Sequence, residues 1–314
     1  MEDNIKPRNI FKMVFLAIIL AVGIMYVPFF NIISILVVVP YIIVGFDNRY
    51  TIITSIITMV FLFFCTGTLY TINIFLAFVI PGMAIGKQMK FSAINGETNQ
   101  FSPIYLGAVY YIVGMIFLVI IEMKLFNIDI LGDIHTQLTT MLNLEMQTPI
   151  MEQLGVFKEI SVEEVATMCM NLVSTALVVS GFLWAIVVYF LSSFVMRKIL
   201  KVDFEFGKFR NFYLPKKAVF TAFLMVIVVY ILGKLGFEKS DIFYTNLEYI
   251  FLSIFFIQGV AVYIYYLIAF IKNKKKTIFW MLIPLLLLGV FGVAIIGISD
   301  NIVDLRGLQS NKPA

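Results

Sequence analysis

SVEEVATMCMNLVSTALVVSGFLWAIVVYFLSSFVMRKILK, residues 161–201, decides the fold. Ser161-Val-Glu-Glu164 is a capping box: the Ser161 hydroxyl is placed to accept from the Glu164 amide, and the Glu164 carboxylate to accept from the Ser161 amide. From Ala166 to Phe194 there is no charge, and the run stops at Arg197, Lys198 and Lys201. Read as one helix, Val162 to Leu200 is about 58 Å long, against about 30 Å of bilayer hydrocarbon. It is expected to cross a membrane and project beyond it, with an acidic start on one side and a basic end on the other.

The rest of the composition agrees. Of 314 residues, 61% are hydrophobic and 13% charged. A water-soluble domain of that size cannot bury so much apolar surface. The net charge of +4 is scattered between apolar runs, which argues against nucleic acid as a partner. The first apolar run lacks a small-x-small exit and is expected to stay as an anchor.

Nine apolar runs follow one another: 13–27, 29–45, 51–64, 70–86, 103–121, the long helix, 218–233, 246–271 and 278–299. The first two, around Pro28, are two full spans or a re-entrant pair. The expected fold is an all-α integral membrane protein, a bundle of about nine transmembrane helices with an amphipathic extracellular segment. We divide it into an N-terminal membrane bundle (1–121), the extracellular segment (122–161), a C-terminal bundle led by the long helix (162–299) and a tail (300–314).

Charge orients the bundle. With the N-terminus in the cytoplasm, 17 of the 23 basic residues fall in inside segments and 13 of the 19 acidic residues outside, the positive-inside pattern. If all nine runs cross, the C-terminus lies outside. In the outer segment Ile130, Ile134, Leu138, Met141, Leu142 and Leu144 recur at helical spacing, and Pro149 is expected to end the helix.

Candidate chemistry is sparse. No run carries an ionisable residue near its middle, with Glu122 at a run's end, which argues against a proton relay. His135 is alone and reads as a surface histidine. Cys65 and Cys169 have no metal-ligand spacing, and a disulfide between them stays open. No His-Glu-x-x-His, nucleophile elbow or phosphate loop occurs, so neither an enzyme nor a cofactor is expected. Asp300 and Asp304 lie one turn apart; Arg306 is their expected partner in a structural salt-bridge cluster rather than a cation site. Ala17-Ile-Ile-Leu-Ala21 and Gly82-Met-Ala-Ile-Gly86 allow close helix approach, within the bundle or to a partner. The loop 201–217 is basic and aromatic, and Lys208, Arg210, Lys216 and Lys217 are candidates for docking a cytoplasmic partner or anionic lipid.

Two stretches carry a resemblance: Phe209-Arg-Asn-Phe-Tyr-Leu-Pro215, and Gly297-Ile-Ser-Asp300 with Asp304-Leu-Arg306. Both resemble the YybS-like family of bacterial multi-pass membrane proteins with a domain of unknown function. The N-terminal half is more distantly similar to substrate-binding subunits of energy-coupling-factor transporters. In those, an Ala-x-x-x-Ala on the first helix docks the coupling subunit, and Ala17 and Ala21 occupy such a place. The resemblance implies a bacterial cell-membrane protein that takes up a small molecule and is energised by a transmembrane coupling subunit and ATPases. The alternative is a cell-envelope scaffold docking a cytoplasmic partner.

Overall fold

The computed structural model describes residues 7–26, 34–95, 100–146, 161–201, 206–270 and 274–308. All regular structure among them is helical: α1 (Pro7–Tyr26), α2 (Ile35–Asp47), α3 (Thr51–Thr66), α4 (Thr68–Ile74), a π turn (Phe75–Val79), α5 (Ile80–Asn95), α6 (Ser102–Leu125), α7 (Ile130–Met146), α8 (Val162–Asn171), α9 (Val173–Lys198), a 3-10 turn (Phe209–Asn211), α10 (Ala218–Lys234), α11 (Ser240–Phe270) and α12 (Lys274–Val303). Among the described residues five stretches are long and apolar enough to cross a membrane: Arg8–Tyr26, Thr68–Ile94, Ser102–Leu125, Val173–Lys198 and Ser240–Phe270. Ile35–Asp47, Thr51–Thr66, Ala218–Lys234 and Leu287–Val303 are apolar but shorter.

The surface is the kind that lipid solvates. On α3 the buried side chains are Thr54, Thr58 and Leu62, while Ile52, Ile56, Phe61 and Phe64 face outward. A helix with threonines inside and phenylalanines outside is stable only where its outer medium is apolar.

The core of the first half is α2. Val37 to Asp47 is buried on every side, as expected of a helix that is apolar all round. It packs on α1, α3, α5 and α9. Gly86 makes the α2–α5 contact possible, since a Cβ there would stand 1.9 Å from the Ile42 carbonyl oxygen. Tyr26, at the end of α1, donates to the Cys65 carbonyl at the end of α3 (3.0 Å). Asp47 lies at the other end, paired with Arg49 at 2.6 Å. The chain therefore traverses the bundle along α1 before it returns along α2.

The long helix is not continuous. Leu172 (φ −96°, ψ 2°) separates α8 from α9, although no glycine or proline stands there. The cause is a side chain. Asn246 of α11 donates from Nδ2 to the Asn171 carbonyl (2.8 Å) and accepts on Oδ1 from the Thr175 amide (3.1 Å). Those two backbone groups would otherwise bond each other across one helical turn. The amide is spliced into the ladder, one of the recognised ways to bend a helix. The capping box at Ser161 forms as expected, with bonds of 3.2 and 2.9 Å. Beyond the break, α8 packs on α7, and His135 meets Glu163 at 3.3 Å. Ile134, Leu138 and Leu142 of α7 are half-buried, whereas Met141 and Leu144 are exposed. Pro149 lies outside the described residues.

The last helix corrects the side of the bundle expected for residues 300–306. Gly289 (φ 63°, ψ −174°) interrupts α12, a conformation glycine adopts without a Cβ penalty. Beyond it the helix runs parallel to α11. Gly297 lies against Phe255, Gln258 bonds Asp300, and Tyr266 bonds the Leu305 carbonyl. The Val219 amide, at the start of α10, donates to Asn301 Oδ1 (3.4 Å). Residues 300–306 therefore share an end of the bundle with the basic loop, not the opposite end that nine successive crossings require. The limb before Gly289 carries the chain away from that end, and the limb after it brings the chain back.

Candidate functional site

The residues that joined the two distant sequence stretches also join them in space. Between α9 and α10, residues 206–217 do not form a long helix. Pro215 lacks an amide and turns Leu214 away from helical geometry, so after the one 3-10 turn the chain is extended at Phe212 (φ −63°, ψ 130°). This strand of chain folds back along the bundle. Phe212 is fully buried, its ring 5.3 Å from that of Phe101 and 6.2 Å from that of Phe182. Phe182 lies sixteen residues before the end of α9, about 24 Å by helical rise.

Extended backbone buried among helices must have its polar groups satisfied inside the protein. Side chains from four helices do this. The Gly207 amide donates to the Tyr189 hydroxyl of α9 (3.2 Å). Tyr105 of α6 donates to the Tyr213 carbonyl. The Leu214 amide donates to Gln258 Oε1 of α11 (3.2 Å). Asn301 Nδ2 of α12 reaches the carbonyls of Leu214 (3.3 Å) and Pro215 (3.1 Å).

Arg306 completes the arrangement. Nη1 donates to the Arg210 carbonyl (2.7 Å) and Nη2 to that of Phe212 (2.7 Å). Nε and Nη2 hold the two oxygens of Asp300, at 3.2 and 2.8 Å. Four of the five guanidinium donors are thereby used. Asp300 Oδ2 also accepts from Gln258 Nε2 (2.7 Å). Both charged side chains are essentially inaccessible. The pair brings no open reactive group to the site. Its geometry fixes a loop against both halves of the molecule.

The expected salt-bridge cluster thus divides. Asp300 and Arg306 pair, while Asp304 turns the chain (φ 52°) and accepts from the Leu308 amide (2.9 Å). No group of His, Cys, Asp and Glu suited to a metal occurs among the described residues. Cys65 and Cys169 are both free. Lys208, Lys216 and Lys217 are exposed at the basic end, and Arg210 is half-buried with its carbonyl under Arg306. Ala17 and Ala21 are fully buried. The Tyr70 hydroxyl donates to the Ala21 carbonyl (2.8 Å), and α1 packs on α2 and α3. In this arrangement the Ala-x-x-x-Ala stripe is covered by the chain's own helices and offers no surface to a docking helix.

Sequence reasoning missed Tyr105, Tyr189, Asn246, Gln258 and Asn301. The signal was present for two of them, since Asn246 and Gln258 are amides inside an apolar run, where such groups are costly unless bonded. It also missed Glu248, which lines a groove between α10, α11 and α12 otherwise walled mainly by apolar side chains.

Exposed apolar helices around buried polar clamps define a polytopic helical membrane protein. The chain belongs to the family described as predicted membrane protein (DUF2232), whose model matches residues 15–301. That span takes in the basic loop, Gln258 and Asp300. No curated protein and no solved structure matches the chain.

Proposed function

We propose that the chain is a small-molecule uptake component of the cell membrane, driven by a partner that docks on the basic loop. The observation that carries this reading is the double character of residues 206–217. The loop presents exposed Lys208, Lys216 and Lys217 at one end of the bundle. Its middle lies buried between Phe101, Phe182 and the Asp300–Arg306 pair. A partner bound to the lysines acts on a segment in contact with both halves of the molecule. Interrupted helices, here at Leu172 and Gly289, are where membrane carriers place solutes and moving parts. The partner supplies the energy, because the sequence has no phosphate loop. By the positive-inside rule this end faces the cytoplasm. The buried Ala17 and Ala21 leave the basic loop as the contact for such a coupling subunit.

A second reading, a cell-envelope scaffold, is favoured by one feature: the backbone of the buried stretch of the loop is hydrogen-bonded by side chains of the chain's own helices and C-terminal motif. The two readings separate on what is bound. The full chain is isolated in mild detergent from its own membranes, as wild type and as K208Q/K216Q/K217Q. The uptake reading predicts ATPase subunits in stoichiometric yield with wild type and at least about fivefold less with the triple variant, exposed ion pairs being worth about 0.2–1 kcal/mol each. Envelope-synthesis proteins in their place move the weight to the scaffold. Equal recovery of ATPases with both chains contradicts docking on this loop.

A further inference from the structure

Glu248 is a carboxylate on a membrane helix that forms no ion pair among the described residues, and its surroundings give a reason. Two cavities adjoin along the seam of α10 and α11 and share Tyr244. The lower, about 350 Å³, is walled by Val219, Ala222, Val226, Phe251 and Phe255, with Ala294, Ile295 and Ile298 of α12 as its floor. The upper, about 360 Å³, lies at the end opposite the basic loop and is lined by Lys234, Ser240, Asp241 and Tyr230. On each helix the lining residues follow one face, 219–222–226–229–233 on α10 and 241–244–248–251–255 on α11. They form one trough, polar at its mouth and apolar below.

The dimensions and charges select an occupant. From Val219 to Val229 the helical rise is about 15 Å, the depth of one leaflet of a bilayer. At the mouth Lys234 stands over the Tyr230 ring (5.5 Å), with Asp241 on the facing helix. Side chains on a helix lean toward its N-terminus, so Glu248 leans from one turn below Tyr244 toward the same mouth. One cation and two carboxylates around a leaflet-deep apolar slot match a chain-bearing molecule with a phosphate and an ammonium in its head. We propose that this trough is a binding site for one zwitterionic aminophospholipid. Its phosphate lies on Lys234, its ammonium group between Asp241 and Glu248, and an acyl chain along Val219 to Val226. An anionic lipid without the ammonium meets two carboxylates and one lysine and is disfavoured.

The site is independent of the basic loop and of the uptake reading. Its test uses the full chain, stripped of lipid by detergent exchange and then offered phosphatidylethanolamine or phosphatidylglycerol with matched acyl chains, with adducts read by native mass spectrometry. Wild type is expected to retain phosphatidylethanolamine about tenfold better, a difference of about 1.4 kcal/mol. In D241N/E248Q that preference falls to within about twofold, and K234Q lowers retention of both lipids about fivefold. Val226→Trp fills the slot and removes both adducts without touching a charge, so the site stays testable if the double variant fails to fold. Equal retention of the two lipids by wild type, or a tenfold preference that survives in D241N/E248Q or Val226→Trp, overturns the proposal.

Discussion

Replacing Asp300 by Asn, or Arg306 by Gln, is expected to be the most damaging single change in the molecule, at about 3–5 kcal/mol each. Either change leaves the other charge buried and unpaired, because both side chains are essentially inaccessible. The arginine loss also strips the carbonyls of Arg210 and Phe212 of their donors. The double variant D300N/R306Q removes both charges at once. It is expected to be more stable than the sum of the two losses predicts, because no isolated charge remains. Thermal stability in mild detergent, followed as the monodisperse fraction after heating, measures this. Strictly additive single effects would show that the two groups are not coupled. Accelerated tryptic cutting after Lys208 and Lys216 in the single variants would report release of the loop itself.

Asn246 carries the second large effect. Its Oδ1 accepts from Ser174 Oγ (2.7 Å), Thr175 Oγ1 (2.6 Å) and the Thr175 amide (3.1 Å). Its Nδ2 donates to the carbonyls of Asn171 and Ile242, both at 2.8 Å. Asn246→Ala lets the α8–α9 ladder close, because the Asn171 carbonyl and the Thr175 amide are then free to pair. It still costs about 1–3 kcal/mol, through the hydroxyls and the Ile242 carbonyl left with fewer partners. Asn246→Asp costs more. A carboxylate oxygen replaces the amide nitrogen and faces two carbonyl oxygens. Protonating that carboxylate restores one donor, so the Asp variant is expected to gain stability as pH falls and the Ala variant is not. Hydrogen exchange in residues 171–175 should slow in the Ala variant if the ladder closes. Unchanged exchange there would remove Asn246 as the cause of the break.

These two positions also mark what a sequence can and cannot disclose. The capping box at Ser161 is local: donor and acceptor are three residues apart, and the chemistry is complete within one turn. The apolar runs are equally legible, because lipid demands them residue by residue, and each of the nine falls mainly on helix over its described part, with breaks at Leu172 and Gly289. The pairing of Asp300 with Arg306 was readable from one short segment. The break at Leu172 was not, since its cause is an amide 74 residues further on. The loop 206–217 misleads for a different reason. Lysines, a proline and an asparagine make a surface loop by composition, and Lys208, Lys216 and Lys217 do lie at the surface. Phe212 and Leu214 between them are drawn inward by partners from residues 105, 258, 301 and 306, none of them adjacent in sequence. Glu248 reads by sequence as a residue near the start of its apolar run. The start of α11 at Ser240 places it two turns inside the helix.

The meeting of the basic loop with the C-terminal motif underlies both the proposed function and the predictions for Asp300 and Arg306. It is tested most directly by impermeant thiol labelling of single cysteines, K216C and L305C, in a chain whose two native cysteines are replaced by serine. Both positions are exposed. The two cysteines should react in vesicles of the same orientation, because Arg306 binds the carbonyls of Arg210 and Phe212 at one end of the bundle. Reaction of K216C in inverted vesicles and of L305C in right-side-out vesicles, or the reverse, would place them on opposite faces of the membrane and contradict the account.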